Sequence, residues 1–420
     1  MNEASHRVQR TYLTLLLFNT LAASLIWGIN TLFLLNAGLS NVEAFAANAF
    51  YTVGLVLFEV PTGVVADLKG RRASYLIGTV TLAAATILYW VAWEMHAPFW
   101  AWAVTSMLLG LGFTFFSGSV EAWLVDALHY TGYKGKLESV FAKGQAVQGF
   151  AMLSGSVAGG FIAQIGNLGA PYIGRAILLA ITFILAFWWM KDLGFTPLGS
   201  KQPLKEVKHI VHNSVEHGFK RRPIRWIMLA GLFTSGVSVY AFYATQPYLL
   251  ELYGDSTAYG VAGLAAAIVA GAQIVGGLMG PRLGRLFKRR TSFIIANVGI
   301  SAVILLSLGL VHNFWFALAA LTIWGLLYAA VVPVRQAYLN GLISSDQRAT
   351  VLSFDSLFSS AGGVVSQPVL GKVADAYSYA TSFVASSVIQ IIALPFAILA
   401  RREKTPQDVI LDDPTKPTRS

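Results

Sequence analysis

The stretch Glu59-Val60-Pro61-Thr62-Gly63-Val64-Val65-Ala66-Asp67-Leu68-Lys69-Gly70-Arg71-Arg72 joins two apolar runs, one spanning 43–66 and the next beginning near 74. Asp67 to Arg72 places a carboxylate, a glycine and three cations between two segments of membrane length. Such a cluster reads as a tight loop at a membrane surface, because charge is expelled from about 30 Å of hydrocarbon and cations concentrate on one side.

Working outward, runs of about 20 apolar residues, enough to cross that hydrocarbon at about 1.5 Å per residue, recur near 11–36, 43–66, 74–94, 98–128, 139–166 and 170–190. Six more lie near 224–250, 258–281, 291–311, 314–342, 349–377 and 380–400. The composition agrees: 55% of the 420 residues are hydrophobic and 12% charged, about half the charge of an average soluble domain, near 25%. The first run is too long for the 7–15-residue core of a signal peptide and reads as a retained helix.

The net charge of +10 points away from nucleic acid once its placement is followed. With the N-terminus inside, every Lys and Arg except Arg175 and Lys372 falls on the cytoplasmic side. The positive-inside rule then puts both termini in the cytoplasm of a multi-pass protein of the cell (inner) membrane. The expected organisation is a six-helix bundle over 1–190, a cytoplasmic linker over 191–223, a second bundle over 224–400 and a polar tail over 401–420. Within the linker, Leu204 to Phe219 has the pattern of a basic amphipathic helix for the inner leaflet or of a solvated connector. Cysteine is absent and the seven histidines form no HExxH pair, so no metal site and no cofactor are expected.

The halves repeat. A shift of about 214 residues lays Val334-Arg335-Gln336 over Val120-Glu121-Ala122, Asn340 over Asp126, and Phe233-Thr234-Ser235 over Phe18-Asn19-Thr20. A loop two residues shorter brings Arg348 to Lys136 and Asp355 to Lys143. Weak internal symmetry of this kind marks secondary transporters whose two bundles rock about a central site.

In this setting Gly63, Asp67, Gly70, Arg71 and Arg72 resemble the Gly-x-x-x-Asp-x-x-Gly-Arg-Arg loop of the major facilitator superfamily, and the likeness extends over the whole chain. The second half keeps only a basic remnant, Gly280-Pro281-Arg282 to Lys288-Arg289-Arg290. Gly155-Ser156-Val157-Ala158-Gly159-Gly160 is similar to the Gly-Pro-x-x-Gly-Gly motif of drug antiporters, with Ser156 in the proline position, and Arg348 to Ser353 looks like bacterial efflux relatives. The resemblance implies an all-α fold of twelve membrane helices in two pseudo-symmetric bundles, a monomer, and a conformational lock. In that lock Asp67 meets the start of the eleventh span and Arg71 pairs with Asp126.

Depth along the spans predicts a second constellation. Glu121 and Lys143 each lie 11 residues from the loop centre near 132, Arg335 and Asp355 each 10 from 345, and Glu59 lies 11 from Gly70. Two ion pairs at one depth are expected, with one carboxylate in excess. A carboxylate without a basic partner in a partly dehydrated layer suits a proton carrier, and such charges are costly unless functional. The coupling ion is therefore expected to be H+, carried by Glu59, Glu121 or Asp355.

For the substrate, Asn19, Trp27 and Asn30 of the first span and Tyr240, Tyr243 and Gln246 of the seventh line the cavity if the resemblance holds, with Trp324 and Tyr328 opposite. Aromatic faces with few fixed charges suit a small amphipathic or lipophilic molecule. The reading is proton-coupled export by rocker-switch alternating access, with membrane lipids and a small molecule as partners and no enzymatic activity. The alternatives are an uptake symporter, a lipid flippase, a ligand sensor or an intramembrane enzyme.

Overall fold

A computed structural model describes residues 3–116, 118–195, 219–344 and 347–410. The described chain is helical. The elements are α1 (Glu3–Ser24), α2 (Asn30–Asn36), α3 (Asn41–Lys69), α4 (Arg71–Glu94), α5 (Phe99–Thr114), α6 (Ser119–Tyr130), α7 (Leu137–Ile165) and α8 (Ala170–Trp189). They continue as α9 (Arg222–Tyr253), α10 (Tyr259–Gly284), α11 (Arg290–Leu310), α12 (Phe314–Leu342), α13 (Arg348–Ala376) and α14 (Tyr379–Arg402), followed by a 3-10 turn at Pro406–Asp408.

Ten spans among the described residues are long and apolar enough to cross a membrane: α3, α4, α5 with α6, α7, α8, α9, α10, α11, α12 and α14. They fall on ten of the twelve expected runs, and the chain is a multi-pass membrane protein. The other two runs are helical but different in kind. The first is interrupted between Ser24 and Asn30, giving α1 and α2. The eleventh, α13, is one helix of 29 residues, made more polar by its serines and by Asp355, Lys372 and Asp375.

Two compact units divide the chain across the sequence boundaries rather than along them. The first takes the described residues of 1–207 with 242–270 and 367–376, and the second takes the remainder. One end each of α9, α10 and α13 thus belongs to the first unit. Of the expected amphipathic helix from Leu204 to Phe219, all but Phe219 lies outside the described residues, as do 411–420.

In the first unit α1 packs on α7 and α8, α3 on α5, and α4 on α5 and α8. Its aromatic nucleus gathers on short α2: the Phe33 ring stacks 3.9 Å from Tyr172 and 5.5 Å from Trp93, and meets Trp102 edge-on at 5.8 Å. Pairs like these add about 0.5–1.5 kcal/mol each beyond the area they bury.

In the second unit α11 lies against α12 and α14. Chain after α14 is built into this unit, against the expectation of a plain polar tail from 401. Val409 forms an antiparallel bridge with Arg289. Asp408, 1% exposed, accepts hydrogen bonds from the Thr291 N–H and hydroxyl at 2.8 Å each. A helix start leaves N–H groups without partners, and a carboxylate there also complements the dipole.

Candidate functional site

The loop that opens the sequence argument is built by one glycine. Gly70 ends α3 at φ +97°, a conformation open to glycine, and a Cβ there would run into the Asp192 carboxylate. The space serves a contact: the Arg72 N–H donates to Asp192 Oδ1 at 2.8 Å, capping α4 from the segment after α8. The Arg72 side chain donates to the Phe187 carbonyl at 2.8 Å and lies 5.1 Å over its ring.

Arg71 pairs with Asp67 at 2.9 Å, not with Asp126 as expected. Because α4 starts directly after Gly70, the two residues stand four apart across the junction and meet at once. The Asp126 side chain is half-buried on α6, and its carbonyl backs onto Gly194. A Cβ on Gly63 would find open space.

The expected charge layer divides between the halves. Arg335 on α12 and Asp355 on α13 form a two-pronged pair, 2.7 and 2.6 Å, with Asp355 7% exposed. Glu121 and Lys143 are both exposed, and no ion pair joins them in the described residues, which corrects the expected second pair. Counting residues sets depth but not the direction of a helix face. Lys143 faces α1, lining a cavity of about 610 Å³ with His6, Gln9 and Arg10, while Glu121 stands in the first turn of α6 after the left-handed Gly118. Glu59 is exposed on α3.

A cavity of about 360 Å³ lies within the second unit, lined from α9, α11, α12, α13 and α14. The Arg335–Asp355 pair forms part of its wall. Trp324 and Tyr328, stacked at 5.8 Å and 14°, form another. The remaining lining is rich in small polar groups: Thr234, Ser235 and Ser238 of α9, Asn297 of α11, Gln336 of α12, Ser356, Ser359 and Ser360 of α13, and Gln390 of α14. These were not anticipated, although the serine spacing of three and four marks one helix face. In such a pocket ring faces provide stacking surface and hydroxyls and amides provide adaptable hydrogen bonds.

The other expected cavity residues make contacts of their own. Gln246 of α9 accepts from the Thr31 N–H at 2.9 Å and donates to the Trp27 carbonyl at 2.6 Å, satisfying backbone groups freed where α1 breaks from α2. The Thr31 hydroxyl donates to the Tyr243 carbonyl at 2.9 Å. Asn30 donates to Asn48 and accepts from the Tyr172 hydroxyl, both at 2.9 Å. A broken helix persists at membrane depth only when side chains complete its hydrogen bonding in this way. Tyr240 is buried and donates to Ser382 at 2.6 Å, and Asn19 is half-buried on α1.

The Gly155–Gly160 run explains itself at the same break. A Cβ on Gly159 would overlap the Leu25 carbonyl oxygen, and one on Gly160 would lie 2.6 Å from that of Tyr259. Small residues let helix backbones approach closely. At the ends of the helices away from the basic loops, Asp375 of α13 accepts from the Asn41 and Val42 N–H groups at 2.9 and 2.8 Å, capping α3.

Comparison with known proteins agrees with this architecture. The model of the Major Facilitator Superfamily matches residues 12–289 and 257–417. The multidrug resistance protein MdtG of Proteus mirabilis is 24% identical over 353 residues, 82% of each chain. The uncharacterized MFS-type transporter YxaM of Bacillus subtilis is 22% identical over 89% of this chain and 91% of its own. Among solved structures, the nucleoside transporter NupG superposes with a TM-score of 0.79 at 11% identity, covering 95% of this chain and 99% of that one. A bacterial homologue of the lysosomal transporter Spinster, inward-facing and occupied, gives 0.72 at 14% identity, covering 96% and 98%.

Proposed function

The chain belongs to the major facilitator superfamily, and on that footing we propose that it is a proton-coupled exporter of small amphipathic aromatic compounds. The observation that carries this reading is the cavity of the second unit, where the stacked Trp324 and Tyr328 share a wall with the Arg335–Asp355 pair. An aromatic molecule stacks on the rings while its polar groups meet the hydroxyls of α9 and α13. A substrate group that draws Arg335 away leaves Asp355 without its basic partner and open to a proton, which ties occupancy of the pocket to a proton. Glu59 and Glu121 are the further carboxylates of the same depth.

The MdtG likeness supports the export direction, and the clustering of cations in one set of loops supports a protein with both termini in the cytoplasm of the inner membrane. Access alternates between the two faces, with the Asp67–Arg72 loop serving the cytoplasmic closure and Asp375 the opposite one.

The test uses everted membrane vesicles acidified inside and reported by a pH-sensitive acridine dye. Addition of a transported aromatic compound is expected to recover fluorescence with the wild type. Trp324→Ala is expected to weaken the response to the compound, and Asp355→Asn to remove the proton flux. If no compound in a broad panel recovers fluorescence, while right-side-out vesicles accumulate one on acidification of the medium, the direction is uptake and the export reading falls.

A further inference from the structure

Arg175 is one of two cations lying apart from the basic loops, and the pocket of the second unit makes no use of it. It sits in the second turn of α8, in the first unit, and is 9% exposed. Its Nε is fully enclosed and has no hydrogen-bond partner. Among the described residues the ionisable groups that act on it are Tyr172, Tyr51, Tyr89 and Tyr243, and no ion pair there includes it. Two of these hydroxyls are already engaged, Tyr172 with Asn30 at 2.9 Å and Tyr89 with Ser106 at 3.1 Å. Tyr51 and Tyr243 are half-buried.

An arginine in this condition is costly. A buried guanidinium without a counter-charge loses its hydration and gains no pair in return, and a charge at membrane depth marks a functional position by default. What the arrangement offers is a positive fork among rings, a complement to a planar anion attached to an aromatic body.

We infer that Arg175 is the recognition point of a further site in the first unit, separate from the pocket of the second, whose preferred ligands are aromatic carboxylates or zwitterions carrying one. The carboxylate accepts from the guanidinium while the aromatic body lies against Tyr51 and Tyr243. The inference rests on the transport reading for its physiological meaning, but its binding test does not.

Purified full-length protein in lipid nanodiscs is titrated by calorimetry with naphthalene-2-carboxylate and with its neutral counterpart, naphthalene-2-carboxamide. The wild type is expected to bind the acid at least about tenfold more tightly, the ordinary return for a charge-assisted hydrogen bond. Arg175→Met is expected to abolish that preference, leave amide affinity unchanged and raise the unfolding temperature, since it removes an uncompensated charge. Arg175→Lys keeps the charge without the fork and is expected to fall between them. A wild type that does not prefer the acid overturns the inference. So does an Arg175→Met protein that still prefers it, or one that loses both ligands together with stability, the mark of a structural arginine. Should the wild type discriminate acid from amide yet move neither into everted vesicles, the transport reading fails and the binding inference stands.

Discussion

The two halves of the chain treat equivalent positions differently on their inner faces and alike at their helix starts. At one depth, the first half has Glu121 and Lys143, exposed and apart, where the second has Arg335 and Asp355 locked in a two-pronged pair beside a cavity. At the basic end, Asp192 caps α4 from just after α8, and Asp408 caps α11 from just after α14. Backbone geometry explains the contrast. Every helix start needs acceptors for its first N–H groups, so duplication preserves the device, whereas nothing in the backbone requires two side chains at one depth to face each other. Function is free to differ at the second kind of position.

The largest effect is expected where the comparison is sharpest. Asp355→Ala leaves Arg335 in the cavity wall without its carboxylate and should cost about 3 kcal/mol in reversible unfolding from mixed micelles, the usual loss on breaking a buried pair. Glu121→Ala, at the matching depth, should change stability by less than about 0.5 kcal/mol, as for an exposed charge. Equal losses would mean that the halves share one charge layer after all, and the asymmetry would be withdrawn.

The caps test the likeness instead. Loss of a cap costs about 0.5–2 kcal/mol; Asp408→Ala should lie near the upper end because that carboxylate is 1% exposed, and Asp192→Ala near the lower because it stands in water. Gly70→Ala should cost about 1–2 kcal/mol through its positive φ and its collision with Asp192. In the Asp192→Ala background the collision is gone and only the backbone penalty remains, so the two changes should not add. Full additivity would show that Gly70 and Asp192 do not press on each other.

Much of this was legible from patterns local in sequence. The apolar runs place ten spans, and the loop from Asp67 to Arg72 stands where its charges put it. The Arg335–Asp355 pair also follows from counting, since 10 residues on either side of a short loop bring both to one level. What stayed hidden depends on rotation and on distant partners. Lys143 turns toward α1, a choice made by packing rather than by register. The break between α1 and α2 has no proline to announce it and is sustained by Gln246, 215 positions beyond Thr31. Asp408 resembles any other tail carboxylate until the start of α11 is seen beside it.

The end away from the basic loops offers the finest test of the comparison, because there the second half's α13 caps the first half's α3. Asp375 holds two N–H groups at that start, and Ser40 adds a capping box of its own, so the Asp375 contact alone should be worth about 1 kcal/mol. A cysteine-free chain lets this be read without background. Ala44, fully buried in the first turn of α3, becomes a reporter as Ala44→Cys, labelled by a membrane-impermeant maleimide in proteoliposomes. If Asp375 protects the start of α3 by that amount, Asp375→Ala should speed labelling about fivefold, the population change that 1 kcal/mol produces. Asp375→Glu should restore most of the protection by returning a carboxylate. Unchanged labelling would show that the Asp375 contact adds nothing to the protection of Ala44.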